Sequence, residues 1–157
     1  MERLFGSHRV VVDSKGRLII PAAFRKILFP EPGRSGTLTL GYEHCVALYP
    51  PDRWEEEENL IHRLPFTSTN VRRIARMMGY HAKPCALDAQ GRIVLSKDIR
   101  EYAKIDREAL VLGVFQHIEI FNPEIYEAYQ SGSDMTFERA AEELTRLHEK
   151  SRSDEIR

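Results

Sequence analysis

Short runs of β-branched and aliphatic residues, separated by turn residues, fill the first fifty positions of this chain. His8 to Val12 is one such run, Asp13-Ser14-Lys15-Gly16 is turn chemistry, and Arg17 to Ile20 is a second run, which together predict strand, tight turn, strand. Pro21 suits the first turn of a helix through Ala22, Ala23, Phe24 and Ile27, because its missing N–H costs nothing there; Pro30, Pro32, Gly33 and Gly36 break that helix. Thr37 to Leu40 and Val46 to Tyr49 follow as strands around Gly41-Tyr42-Glu43-His44. The hydrophobic period then lengthens. Asp52 to Leu64 and Asn70 to Met78 read as two helices, separated by Pro65 and a Thr/Ser run able to cap the second, which Gly79 ends. Trp54, Ile61 and Leu64 share one face of the first helix, and Val71, Ile74 and Met78 one face of the second, with Arg72, Arg73 and Arg76 opposite. Strands return near Ala86-Leu87, at Arg92 to Leu95, Ala109 to Leu112 and Ile118 to Phe121, with a short helix from about Lys97 to Tyr102. A helix from Pro123 to Tyr129, a break at Ser131-Gly132-Ser133 and a last helix from Asp134 to about Lys150, striped by Phe137, Ala141, Leu144 and His148, complete the pattern.

The second set of strands repeats the first. Asp13-Ser-Lys-Gly-Arg-Leu-Ile-Ile-Pro-Ala-Ala-Phe-Arg25 returns as Asp88-Ala-Gln-Gly-Arg-Ile-Val-Leu-Ser-Lys-Asp-Ile-Arg100, 75 positions on. Leu40-Gly41 through Leu48-Tyr49, Pro51 and Trp54 align with Leu112-Gly113 through Ile120-Phe121, Pro123 and Tyr126 at an offset of 72, the difference being one longer loop in the first copy. Two copies of this length are too few for an array, so a pseudo-twofold barrel or two small related domains is favoured. The helical hairpin links the copies.

At 157 residues, with 30% charged and 42% hydrophobic, the chain reads as a soluble globular protein with one ordinary core or two small ones. No apolar run approaches a membrane span and Met1-Glu2-Arg3-Leu4 has no signal-like segment, so a cytoplasmic location is expected. Cys45 and Cys85, the only cysteines, read as reduced, small buried hydrophobes. Net charge is −1, yet unevenly spread: from Pro123 onward there are five basic and nine acidic residues, against eighteen and fifteen before it. The repeat region is mildly basic and the tail acidic.

In an Asp-x-x-Gly-Arg turn the aspartate accepts hydrogen bonds from amides ahead of it, and glycine supplies the positive φ of the reversal, as Asp13 with Gly16 and Asp88 with Gly91 would. The following arginine either pairs back with the aspartate or projects as a planar five-donor fork. Arg17 has Lys15 at its turn tip and Arg9 on the preceding strand; Arg92 has Gln90. These side chains suit phosphates and the edges of guanine or adenine. From turn chemistry alone, ion pairs that merely pin a turn are the better-supported reading.

The paired phrases, with Leu48-Tyr49-Pro50, Trp54 and Ile118-Glu119-Ile120-Phe121 in their places, resemble the MraZ family of bacterial transcriptional regulators over about residues 4 to 130. The resemblance implies an α+β protein of two pseudo-symmetric AbrB-like swapped-hairpin β-barrel halves, residues 1–51 and 83–130, joined by a helical linker over 52–82 and followed by a C-terminal helix and acidic tail over 131–157. It implies a nucleoid-associated, head-to-tail ring that binds short G-rich direct repeats of double-stranded DNA upstream of its own gene, in the division and cell wall cluster, and chiefly represses it. The motif arginine is implicated in that binding, which carries over onto Arg17 and Arg92. The second turn departs from the pattern with Ala89 and Gln90 where a basic residue would help, and the tail beyond Ser131 lies outside it.

Other readings stay in view. The Arg72, Arg73 and Arg76 face reads first as a solvated face, then as a subunit contact, and after these as a contact to DNA phosphates. Histidines at 8, 44, 62, 81, 117 and 148, one beside Cys45, invite a nucleophile or metal reading, but no His-x-x-x-His, Cys-x-x-Cys, Gly-x-Ser-x-Gly or phosphate-loop spacing supports it, so no enzyme, metal, cofactor or small-molecule substrate is expected. The alternative from another class is a ring-forming protein-interaction scaffold that binds no nucleic acid.

Overall fold

The β-branched runs, turn chemistry and helical periodicity each find their element in the computed structural model, which describes residues 3–132 and 136–156. The first copy supplies β1 (Leu4–Val11), β2 (Arg17–Ile19), α1 (Ala22–Leu28), β3 (Gly36–Leu40) and β4 (Val46–Tyr49), with one turn of 3₁₀ helix at Tyr42–His44. The linker is α2 (Pro51–Arg63) and α3 (Thr69–His81). The second copy supplies β5 (Lys83–Cys85), β6 (Arg92–Val94), α4 (Lys97–Ala103), β7 (Glu108–Phe115) and β8 (Ile118–Phe121), and α5 (Pro123–Gly132) and α6 (Phe137–Glu155) follow. The molecule is of mixed α+β class, and its sheets are antiparallel.

The copies interleave. One six-stranded sheet runs β1-β7-β8-β4-β3-β5, and β2 with β6 makes a separate two-stranded ribbon. β1 of the first copy pairs along its whole length with β7 of the second, from Leu4 opposite Phe115 to Val11 opposite Glu108. In the same way β5 of the second copy pairs with β3 of the first, and β4 meets β8. Since β5 corresponds to β1, β7 to β3 and β8 to β4, the order reads alike from either end once the copies are exchanged.

The core carries the same symmetry. Leu18, Ile20, Phe24 and Leu28 of the first copy are buried, and so are Ile93, Leu95, Ile99 and Ala103 at the matching places of the second. Each large side chain so buried contributes about 1.5–3 kcal/mol. Both cysteines are buried and unpaired, as small hydrophobes. α3 lies against β3, where the buried Thr39 donates its hydroxyl hydrogen to the Met78 carbonyl at 2.8 Å. Ser68 caps α3 by accepting from the Val71 amide at 3.4 Å.

Several boundaries differ from those the sequence predicts. β1 starts at Leu4 rather than His8, and β7 extends to Phe115, because each is the other's hydrogen-bonding partner over eight residues. Gly79 does not end α3; the helix continues to His81 and stops where Pro84 forces the residue before it into extended backbone. The next strand is therefore Lys83–Cys85 rather than Ala86-Leu87, and Pro84 is tolerated because β5 is an edge strand. The helix from Pro123 continues through Ser131 and Gly132, where the Ser131 hydroxyl donates to the Glu127 carbonyl at 2.8 Å. Ser133 and Asp134 lie outside the described residues, and α6 starts at Phe137, capped by the Thr136 hydroxyl accepting from the Arg139 amide, and runs to Glu155.

The chain divides into two compact units between Tyr126 and Glu127. In the second, Phe137 is 85% exposed, and Leu144, Leu147 and Ile156 are exposed with it. No helix among the described residues is long and apolar enough to cross a membrane.

Candidate nucleic-acid interface

Each Asp-x-x-Gly-Arg turn is closed by its aspartate. One oxygen of Asp13 accepts from the amides of Lys15 and Arg17, both at 2.9 Å, while the other accepts from Arg17 Nε at 2.6 Å. The backbone closes too, with the Gly16 amide donating to the Asp13 carbonyl and the Asp13 amide to the Arg17 carbonyl. The second turn repeats this bond for bond: Asp88 accepts from the amides of Gln90 and Arg92 at 2.9 Å and from Arg92 Nε at 2.7 Å. The Arg17 amide first, then the Arg17 guanidinium and the Lys15 amide, hold the Asp13 carboxyl below its ordinary range against the opposing effect of desolvation; Arg92 and Gln90 do the same for Asp88. The pinned turn is real in both copies, and it runs through Nε, so it fixes the direction in which each guanidinium leaves the backbone.

Gly16 and Gly91 sit at φ +80° and +78°, the left-handed region that favours glycine. They also lie where there is no room. A Cβ on Gly16 would stand 2.5 Å from the Leu95 carbonyl oxygen and 2.9 Å from Arg100 Nε, and one on Gly91 would run into the Arg25 guanidinium. The turns thereby clasp each other's copy: the Gly16 carbonyl accepts from the Leu95 amide at 2.8 Å, and the Gly91 carbonyl from the Ile20 amide at 3.1 Å. Arg25 and Arg100, which close the repeated phrase, each lie across the glycine of the other copy's turn, and Arg25 Nε also donates to the Ile20 carbonyl. Turn chemistry alone assigns these two no role. The signal was their recurrence at the end of both phrases.

The ribbon brings the two motif arginines together. Arg17 lies opposite Val94 and Arg92 opposite Ile19, so with Leu18 and Ile93 buried beneath, the four alternate residues share the outer face. The arginines are a diagonal pair, and such neighbours in a ladder stand about 7–8 Å apart, within reach of long side chains. Ile19 and Val94 on the other diagonal are half exposed. Lys15 and Gln90 are exposed at the turn tips, and Gln90 accepts from Arg92 Nη2 at 3.3 Å. Arg9 is exposed on β1, 3.9 Å from Glu108.

Four of the histidines have other engagements. His8 packs edge-on against Phe24, the His44 ring lies tilted against that of Tyr102, and His117 stacks on Tyr49. His81 Nδ1 lies 2.8 Å from Asp98, which also takes Lys83. The Cys45 thiol meets Glu119, and burial, with that acid second, pushes it up. Among the described residues no three metal-binding side chains converge.

Known proteins are similar to this chain in sequence. The profile of a family described as "MraZ protein, putative antitoxin-like" matches residues 4–77 and again 78–147. A protein of Desulforamulus reducens named transcriptional regulator MraZ is 40% identical over 87% of this chain and 93% of its own length. Proteins of the same name from Caldanaerobacter subterraneus subsp. tengcongensis and Thermoanaerobacter sp. are 38% and 36% identical, over 90% and 92% of this chain and 96% and 99% of theirs. With the profile matched once by each copy and relatives aligned over nearly their full lengths, this chain belongs to the MraZ family.

Proposed function

We propose that this protein is a sequence-specific DNA-binding transcriptional regulator, chiefly a repressor, acting on G-rich direct repeats upstream of its own gene in a division and cell wall cluster. The observation that carries the proposal is the outer face of the β2–β6 ribbon, where Arg17 and Arg92 form a diagonal pair aimed by Asp13 and Asp88. A two-stranded ribbon fits the major groove, and a guanidinium is the commonest partner of the guanine edge. Arg17 and Arg92 take the base-edge or phosphate contacts, Lys15 a phosphate, Gln90 the parallel place in the second turn, and Arg9 a flanking phosphate after giving up Glu108. Asp13, Gly16, Asp88 and Gly91 hold the turns. The transcriptional regulator name of the relatives supports this reading.

In the same proposal the copies are AbrB-like swapped-hairpin units spanning 1–51 and 83–130, joined by 52–82 and followed by the tail 131–157. Chains assemble head to tail in a cytoplasmic, nucleoid-associated ring, so that weak ribbon contacts on successive DNA repeats add through effective concentration. A second reading, a ring-forming interaction scaffold without nucleic acid, draws on the exposed apolar residues of α6, Phe137, Leu144 and Leu147. Binding of the wild type, Arg17→Ala and Arg92→Ala to a labelled fragment from upstream of the gene, across a salt series, separates the two. Each lost guanidinium contact is expected to cost roughly 5- to 150-fold in affinity, from about 1–3 kcal/mol per bidentate pair, with intact assembly. A well-assembled wild type that ignores the fragment at every salt concentration would favour the scaffold.

A further inference from the structure

A groove of about 580 Å³ lies between the α2–α3 hairpin and the sheet, within the range of small-ligand sites. Leu60 and Leu64 of α2, Ile74 and Met77 of α3 and Val114 of β7 make it apolar. Tyr42, Tyr49 and Tyr102 add aromatic rings to the lining. Within this apolar setting stands a carboxylate, Glu119 of β8, whose side chain is only 20% exposed. Its neighbours are poor compensation: the Cys45 thiol at 3.5 Å, a weak donor, and His117 Nε2 at 3.8 Å, beyond hydrogen-bonding distance. No lysine or arginine among the described residues pairs with it, whereas Glu57, the other acid on the lining, has Arg53 at 2.8 Å.

The duplication supplies an internal control. What the fold requires occurs in both copies, as the turns do. At the positions matching Glu119 and His117 the first copy has Ala47 and Cys45, and at that matching Tyr102 it has Ile27. The fold is therefore built without an acid or these rings in one half, and a largely buried carboxylate costs stability unless something pairs with it. An anion under apolar walls, in a groove that three tyrosines also line, matches one ligand chemistry: a cation on an apolar body, attracted by the carboxylate and by the aromatic rings.

We propose that this groove is a binding site for a small amphipathic organic cation, a protonated amine or quaternary ammonium carried on an aliphatic chain or ring. The charged head seats at Glu119 and the apolar body lies along Leu60, Leu64, Ile74 and Met77. The site is separate from the ribbon and does not depend on the protein's binding DNA.

The test is calorimetric titration of the full chain with octylammonium below its micelle concentration, with 1-octanol and octanoate as uncharged and anionic counterparts. Trp54, the chain's one tryptophan, has its ring 5.6 Å from that of Tyr49 and gives a second signal. Octylammonium is expected to saturate at one per chain, at least tenfold tighter than either counterpart. Glu119→Gln should remove that advantage while leaving octanol binding unchanged. Glu119→Ala, which installs the residue of the first copy, serves as the second variant should the glutamine protein fold poorly. Leu60→Trp, at an exposed position on the lining, should block all three probes. Octanol binding as tightly as octylammonium, an unchanged affinity in the Glu119 variants, or uptake that never saturates would overturn the proposal. So would sedimentation showing that the probe enters only as copies of the chain separate, since the groove would then belong to a second copy.

Discussion

At the scale of single residues, the molecule is held at its turns by contacts that glycine and aspartate alone allow. Gly16→Ala places a side chain at φ +80° and against the Leu95 carbonyl, and it should cost on the order of 2–3 kcal/mol, read from the urea midpoint. Gly79→Ala is the matched control, because a Cβ there meets nothing, and it should stabilise α3 slightly. The turn aspartates make stability depend on pH. Their carboxyls lie lower in the folded chain than the ordinary value of 3.8, so the stabilisation is complete above that value and is lost as pH falls through the folded one. A double Asp13→Asn, Asp88→Asn protein should be less stable than the wild type at neutral pH, and the gap should close on acidification. Denaturation midpoints at pH 7 and in steps below pH 4 would show it; a gap of constant size would mean the carboxylate charge contributes nothing.

At the scale of elements, the sequence spoke most clearly where structure is local. Asp13, Gly16 and Arg17 close a turn within five residues, so their spacing was enough to expect its hydrogen bonds. The helices α2 and α3 were legible for the same reason, but the depth of their apolar stripes was not: no residue of either is buried, Leu64 and Ile74 stay exposed, and Arg72, expected on the solvated face, is half-buried and donates to the Phe66 and Thr67 carbonyls. Strand partners were not legible. A β-branched run says that His8 to Val11 is extended but not that β1 lies beside β7, about a hundred residues on, and the true lengths of both strands follow from that pairing. The approach of Arg17 to Arg92 was hidden likewise, because it depends on β2 meeting β6. α3 shows a milder case: nothing local announces that Thr39 grips the Met78 carbonyl. Thr39→Val should cost about 1 kcal/mol. It should also speed hydrogen exchange at the Ala82 amide, which donates to that carbonyl, while leaving amides at the Ser68 end unchanged.

At the scale of the whole molecule, interleaving makes the two copies one cooperative unit. Far-ultraviolet dichroism and Trp54 emission should therefore report a single coincident unfolding transition for the interleaved sheets. Chains cut to residues 1–77 and 78–157 should each fail to fold alone and should recover the strand signal on mixing. Two independent transitions, or a half that melts cooperatively by itself, would contradict the pairing of β1 with β7 and β3 with β5. The sheet order that reads alike from both ends has another side. A protein bearing one copy could complete this sheet only with a twin, so its stability would fall on dilution, as that of any obligate dimer does. Joining the copies through α2 and α3 turns that meeting into an event within one chain, independent of concentration. It also releases the partners from identity: once both are encoded in tandem, one half can carry Glu119 where the other keeps Ala47, a difference that two products of a single shorter gene could never have acquired.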